Sequence, residues 1–131
     1  MQDIQLSKNF WLSQLVSSDT ALRYGLSNNP DAKAIENLRL VAQKILQPCR
    51  DQFGPISPTS GYRSQLVNAL AGSKAKNSQH ILGQAVDFEI AGVPNYRLAC
   101  WIRDNIEYDQ LILEFYTKGI PSSGWVHCSV K

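Results

Sequence analysis

The sequence has little of what marks a nucleic-acid-binding or membrane protein. Its 131 residues contain 13 Lys and Arg against 11 Asp and Glu, which gives a formal net charge of +2. The basic residues form no run or stripe, so we expect no nucleic-acid partner. No apolar stretch approaches the roughly 20 residues that a membrane helix needs, so we expect no membrane insertion. The opening MQDIQLSKNF lacks a basic segment followed by an apolar run, and therefore predicts no ordinary secretory signal.

Cysteine is scarce and its spacing is irregular. Three cysteines stand at positions 49, 100 and 128, and none belongs to a CxxC motif. An odd number without close pairs argues against a disulfide framework, and the missing CxxC argues against a zinc knuckle. We therefore predict that Cys49, Cys100 and Cys128 are buried free thiols.

The remaining composition is that of an ordinary globular protein. Hydrophobic residues make up 44% of the chain, and its length suits one domain, predicted over residues 1–131. Apolar residues at helical spacing predict a short helix near residues 11–16 and a long helix from Pro30 to about Pro48. Two further helices are predicted over residues 64–71 and 95–106.

Alternating apolar and polar residues predict three strands. They are QAVDFEI at 84–90, DQLILEF at 109–115 and WVHCSV at 125–130. A short extended piece is expected over 58–61, and small polar residues predict loops over 72–80 and 117–124. Helices followed by strands and a helix predict an α+β fold, in which a small antiparallel sheet packs against helices.

The two histidines, together with one aspartate, could form a metal-binding site. His80 ends the polar loop, and Asp87 lies on the polar face of the next strand, with Gly83 allowing a turn between them. With His127 from another strand they would supply three N/O ligands and leave a fourth position open, which is the pattern of catalytic zinc. On spacing alone this signal is weak, and structural histidines are the alternative.

The alternation of the last strand bears on a fourth ligand. Trp125, His127 and Ser129 share one strand face, whereas Cys128 points to the other face. We therefore expect Cys128 to lie in the core and reject it as a ligand.

Three blocks of sequence resemble one known group of enzymes. SGYRS at 60–64, SQHILGQAVD at 78–87 and WVHCS at 125–129 look like the signature blocks of the zinc D-Ala-D-Ala metallopeptidases. That superfamily includes peptidoglycan carboxypeptidases, phage endolysins, D-Ala-D-Ala dipeptidases and the signalling domain of hedgehog proteins. Other stretches resemble the compact variety found in phages and prophages, so the resemblance covers nearly the whole chain and implies a hedgehog/DD-peptidase-like fold.

The resemblance implies a Zn²⁺ ion held by His80, Asp87 and His127. It also implies that Arg63 and Ser78 bind or polarise the substrate. A guanidinium can pair with a peptide carboxylate or stabilise charge on the attacked carbonyl oxygen, although Arg63 could instead form a surface salt bridge. Ser78 could equally cap a turn or helix.

Two aromatic residues and one position of the motif leave questions open. Tyr62 and Trp125 could line the cleft, or could be packing aromatics. In much of the family an acidic residue stands three positions before the last histidine, and here that position is Gly124. The general base must then come from elsewhere.

Two carboxylates could serve as that base. Glu114 ends the strand DQLILEF, and a loop connects this strand directly to the one that bears His127. Glu89 is the rival, but it lies two residues beyond Asp87, where a carboxylate more often supports a metal ligand from outside the site or lies exposed at the strand edge. Glu114 is preferred, and hedgehog-type members likewise carry their acidic residue further upstream of the final histidine.

The resemblance therefore implies a zinc peptidase that acts on peptidoglycan stem peptides, with Glu114 and Arg63 in catalysis. The cleaved bond is left open between D-Ala-D-Ala and an L-Ala-D-Glu type bond. A zinc-containing binding module of the hedgehog kind is the alternative, and a purely structural zinc would require a fourth protein ligand. We expect a monomer that is made in the cytoplasm and acts on the cell wall after release or as part of a phage particle.

Overall fold

The computed structural model describes residues 3–58, 60–72 and 78–131. The predicted loop over 72–80 and extended piece over 58–61 lie in part outside these residues. In the described part the strands are β1 (Gln5–Ser7), β2 (Phe10–Trp11), β3 (Ala85–Phe88), β4 (Gln110–Glu114) and β5 (Trp125–Ser129). The α-helices are α1 (Leu12–Val16), α2 (Asp19–Arg23), α3 (Ala32–Val41), α4 (Gln47–Phe53), α5 (Gln65–Leu70), α6 (Gln79–Leu82) and α7 (Asn95–Asn105).

The three predicted strands form one antiparallel sheet in the order β3-β5-β4. In its register Asp87 of β3 and Ile112 of β4 both lie opposite His127 of β5. Because side chains alternate along each strand, these three residues share one face of the sheet. The sheet and the helices packed against it confirm the predicted α+β fold.

The long helix does not end at Pro48 as predicted. A π-helical turn over Ala42–Leu46 joins α3 to α4, so the helical path continues to Phe53. Within it, the N–H of Gln47 reaches back five residues to the carbonyl oxygen of Ala42. The wider turn leaves room for the ring of Pro48, which would clash with a preceding carbonyl in a regular α-helix.

The N-terminal segment contains a small sheet that the sequence did not predict. β1 and β2 pair as an antiparallel ribbon, and α1 and α2 follow as two short helices. Gln47 fixes the ribbon from α4, because its Oε1 accepts hydrogen bonds from the hydroxyl of Ser7 at 2.8 Å and the N–H of Asn9 at 2.9 Å. Such long-range side-chain contacts leave no periodic signal in a sequence.

The core lies between the long helix, α7 and the inner face of the sheet. Its fully buried side chains include Leu38, Val41, Ile45, Leu98, Ile102, Val86, Phe88, Val126 and Cys128. Cys49 and Cys128 are buried as predicted, whereas Cys100 is only partly buried, and all three are free thiols. In the described part of the chain, no helix is long and apolar enough to cross a membrane.

Candidate metal centre

Asp87 and His127 meet at the centre of the sheet. They are directly paired across β3 and β5, and His127 Nδ1 lies 2.9 Å from Asp87 Oδ1. Both side chains are largely buried, with 13% of Asp87 and 12% of His127 exposed. The strand register therefore places a carboxylate and an imidazole beside each other on the open face of the sheet.

His80 reaches the same point from a helix, and not from the end of a loop as predicted. It lies in α6, whose first turn is capped by the hydroxyl of Ser78, which accepts the N–H of His80 at 3.2 Å. The helix ends at Gly83, whose φ of +75° permits the turn into β3. His80 Nε2 lies 3.3 Å from Asp87 Oδ2, so the helix and both strands deliver their side chains to one place.

The hydrogen bonds of His80 fix which nitrogen can bind a cation. Its Nδ1 lies 2.7 Å from the carbonyl oxygen of Gly61, which can only accept, so Nδ1 carries the proton. In the neutral ring Nε2 then bears a lone pair and faces a carboxylate oxygen. Two acceptors at this distance repel each other unless a proton or a metal ion lies between them.

The three side chains are arranged to hold a metal ion. One ligand atom from each of His80, Asp87 and His127 lies within 4.8 Å of the others. Burial by itself would raise the pKa of Asp87, but hydrogen bonds and charge from His127 and His80 outweigh it and place this pKa well below its usual range. The carboxylate is therefore ionised at neutral pH, as a metal ligand must be.

The segment before α5 forms the wall behind His80. Ser60 exchanges backbone hydrogen bonds with Asp87, and a Cβ on Gly61 would lie 2.5 Å from the carbonyl oxygen of Leu15. Asn28 holds this segment, since its amide donates to Tyr62 O at 3.0 Å and accepts from the N–H of Ser64 at 2.8 Å. Asn28 is buried and belongs to no motif, so sequence analysis missed its role in holding this segment.

Arg63 lies beside the metal-ligand cluster, and not in a surface salt bridge. Its guanidinium is 3.3 Å from Asp87 Oδ2 and 3.4 Å from Asn68 Oδ1. Burial lowers the pKa of Arg63, opposed by the charge of Asp87, yet a guanidinium stays charged in proteins. Its Nε is buried and has no hydrogen-bond partner among the described residues. The guanidinium is held against the carboxylate of Asp87, beside the candidate metal ligands.

Of the other residues predicted to contact substrate, Ser78 lies in a cleft, Trp125 lies on the sheet face of His127, and Tyr62 lies in the core. Ser78 and His127 line an open cleft of about 510 Å³. Trp125 lies on the same strand face as His127 and is partly exposed. Tyr62 is 9% exposed and packs in the hydrophobic core, so its side chain does not line this cleft. For Tyr62 the packing alternative is therefore the one that the structure supports.

Comparison with known families agrees with this geometry. The family model described as Peptidase M15 matches residues 8–129 of the chain. The chain belongs to the M15 peptidase family. Membership makes it a hydrolase of the metallopeptidase class, with His80, Asp87 and His127 as the group that can hold the metal. A search among curated proteins found no match.

In this M15 peptidase Glu114 borders the same cleft as His127, one of the three candidate metal ligands. It lies opposite Trp125 in the β4–β5 register and two residues along β4 from Ile112, which lies opposite His127. Glu114 therefore shares the sheet face of His127. Glu114, Ser78 and His127 all line the 510 Å³ cleft. The carboxylate preferred from the sequence therefore lies on the cleft that His127 lines, and its role in proton transfer stays a prediction.

Gly124, where many family members carry an acid, has no room for any side chain. Its φ is +68°, and a Cβ there would lie 1.9 Å from the carbonyl oxygen of Glu114. The glycine thus allows the loop to close tightly against the end of β4. The backbone of the hairpin that presents Glu114 therefore requires a glycine at position 124, where many family members carry an acid.

Glu89 is engaged elsewhere. Its Oε1 accepts a hydrogen bond from Asn95 Nδ2 at 3.1 Å, and it lines a different pocket with Pro94 and Pro121. Asn95 is 1% exposed and also donates to the carbonyl oxygens of Ser123 and Gly124, at 3.0 and 3.1 Å. The pair therefore ties the β4–β5 loop to α7, a role that sequence analysis missed because it involves no motif.

Proposed function

We propose that the protein is a zinc peptidase that hydrolyses bonds next to D-amino acids in peptidoglycan stem peptides. The observation that carries this proposal is the convergence of one ligand atom each from His80, Asp87 and His127 within 4.8 Å of one another, beside an open cleft in an M15 family member. Two imidazoles and one carboxylate are the ligand set of many catalytic zinc sites, in which a fourth position stays free. Since Cys128 is buried in the core, the described residues offer no fourth ligand that would favour a structural zinc.

The residues around the cluster suit a division of labour in amide hydrolysis. Zinc bound there would polarise the scissile carbonyl and lower the pKa of water. Glu114, at the cleft wall, accepts the proton of the attacking water and passes it to the leaving amine. Arg63, whose guanidinium lies 3.3 Å from Asp87 Oδ2, is proposed to stabilise the charge that develops on the carbonyl oxygen or to pair with a substrate carboxylate.

Other residues would position the peptide. Ser78 borders the cleft, and Trp125 lies on the same sheet face as His127. Both are proposed to contact substrate, although the hydroxyl of Ser78 also caps α6. The proposed partner is the stem peptide alone, bound by a monomer. We further propose that the protein is made in the cytoplasm and reaches the cell wall after release or as part of a phage particle.

Mass spectrometry of purified muropeptides, incubated with zinc-loaded protein, tests the proposal and identifies the cleaved bond. We expect about one zinc per chain and the loss of an amino acid or peptide from the stem. Glu114→Gln should keep the zinc and reduce the rate by about 10²–10⁴-fold, because a general base has been removed. Glu89→Gln is the matched control and should stay within about threefold of the wild type, since its carboxylate binds Asn95 and not the cleft.

A zinc-containing binding module is the second candidate, and Gly124 is the observation that favours it. A protein that carries zinc and binds stem peptides but releases no product would support this reading. Metal analysis that finds no zinc even after its addition would contradict both candidates. An unimpaired Glu114→Gln variant would remove Glu114 from the mechanism and leave the peptidase proposal standing.

A further inference from the structure

Phe115, directly after Glu114, has an unusual backbone. Its φ is +51°, and among the described residues it is the one non-glycine with a positive φ. Bulky side chains rarely adopt this left-handed conformation, because Cβ crowds the backbone. The ring is also 78% exposed, so burial of its apolar surface in the core does not compensate. A strained and exposed aromatic directly after Glu114, which lines the 510 Å³ cleft, suggests a function.

The left-handed turn changes the direction in which the ring points. Leu113 and Leu111, two and four residues earlier, face the core, and a continued strand would send Phe115 the same way. Instead its ring lies 5.2 Å from the ring of Trp125, with the two planes tilted by 35°. Trp125 belongs to the opposite face, which carries His127. The strained residue therefore adds an aromatic ring to the cleft face of the sheet.

The position of this aromatic pair relative to the reacting groups is defined by the register. Trp125 lies directly opposite Glu114 and two residues from His127. Ile112, opposite His127, is 41% exposed on the same face and extends the apolar surface along β4. Phe115, Trp125 and Ile112 thus flank the carboxylate with apolar surface that the fold leaves unburied.

We propose that Phe115 is a specificity-determining residue, whose ring with Trp125 contacts the aliphatic side chain of the substrate residue beside the scissile bond. This inference rests on the proposed peptidase function. A polar cluster can bind the peptide backbone and its carboxylate, but it cannot select a methyl or alkyl side chain. An exposed aromatic wall next to Glu114 supplies that selection by removing apolar surface from water.

The decisive variant is Phe115→Asn, because asparagine tolerates the left-handed region and lacks the ring. We expect its melting temperature to rise by about 2–6 °C as the backbone strain is relieved, with zinc content unchanged. We expect kcat/KM on muropeptides to fall about tenfold, mainly through KM, because apolar contact with the substrate is lost. Phe115→Tyr should restore kcat/KM to within about twofold, since the ring is retained.

Tyr96→Asn provides the matched control, because Tyr96 is a 57% exposed aromatic that pairs with Tyr116 instead of Trp125. It should leave kcat/KM unchanged. If the wild type hydrolyses muropeptides and Phe115→Asn has the same kcat/KM, the inference about Phe115 is overturned while the proposed function stands. A fall in melting temperature that parallels the lost activity would also overturn it, by showing a structural role.

Calorimetric binding of a stem peptide to zinc-loaded Glu114→Gln protein separates this inference from the proposed function. Adding Phe115→Asn in that background should weaken binding about fivefold or more if the ring contacts the peptide. Equal affinity with and without the ring would overturn the inference. A wild-type protein that neither binds nor cleaves stem peptides would overturn the proposed function, and the inference with it.

Discussion

Neighbouring residues on the two faces of strand β5 lie in different environments, one in the candidate metal site and the other in the hydrophobic core. His127 faces the cleft beside Asp87, whereas Cys128, the next residue, is 0% exposed in the core. Burial raises the pKa of Cys128 to about 12, so its thiol stays neutral and is a poor metal ligand at physiological pH. The comparison shows how strand alternation alone can separate a reactive site from the packing that supports it.

The same division extends to the strands on either side. On β3 the carboxylate of Asp87 faces the site, while its neighbours Val86 and Phe88 are fully buried. On β4 Glu114 faces the cleft, and Leu113 before it packs against the core. On each strand, apolar residues beside Asp87, His127 or Glu114 are packed in the core. This packing restricts how far the polar side chains of the site can move.

Replacing His127 and Cys128 in turn tests this division most strongly. We expect His127→Ala to lose its bound metal and all activity, because two ligands remain where three converged. Cys128→Ala should keep about one zinc per chain and lose about 1–3 kcal/mol in free energy of unfolding, through the cavity left in the core. Metal analysis and urea unfolding of the two variants measure both effects.

The result that would break the comparison is specific. If Cys128→Ala lost its zinc while its circular dichroism stayed native, the thiol would reach the metal and the assignment of the two faces would be wrong. Retention of zinc by His127→Ala would show that the ion lies elsewhere. Either outcome would be independent of any assay for substrate.

A second prediction concerns Gly124, where the cleft face depends on the backbone. Gly124→Ala should destabilise the protein by about 2 kcal/mol or more, because left-handed strain adds to a Cβ placed 1.9 Å from the carbonyl oxygen of Glu114. Activity should fall as well, because the end of β4 that presents Glu114 must shift. Thermal unfolding and muropeptide kinetics provide the measurements.

Gly119 is a matched control for this variant. It also has a positive φ, +90°, but a Cβ there would meet no atom within 4 Å. Gly119→Ala should therefore cost only the strain, about 1–2 kcal/mol, and leave kcat near the wild-type value. Equal destabilisation by the two substitutions would show that the close approach at Gly124 does not matter.

The sequence predicted the features of the site that follow from short-range patterns. Alternation assigned His127 and Cys128 to opposite faces, and the motif brought His80 and Asp87 together with His127. It could not predict Asn28 or Asn95, because each acts through hydrogen bonds to backbone groups far away in sequence. The direction of the Phe115 ring was equally hidden, since it depends on one backbone dihedral angle at the end of β4.

The last prediction uses pH to probe the core face of β5. Burial raises the pKa of Cys128 and of Cys49 from 9.0 to about 12, with the charge of Cys128 adding to the effect at Cys49. Unfolded thiols ionise near pH 9 while the folded ones stay neutral, so stability is complete below pH 9 and decreases as pH rises toward 12.

Each buried thiol contributes up to about 1.4 kcal/mol of lost stability for each pH unit in that window. Cys128→Ala should therefore flatten the decline of the unfolding free energy between pH 9 and 10.5, measured by urea unfolding under reducing conditions. If Cys128→Ala followed the wild-type curve, its thiol would be accessible to water, and the two faces of β5 would be less distinct than the packing shows.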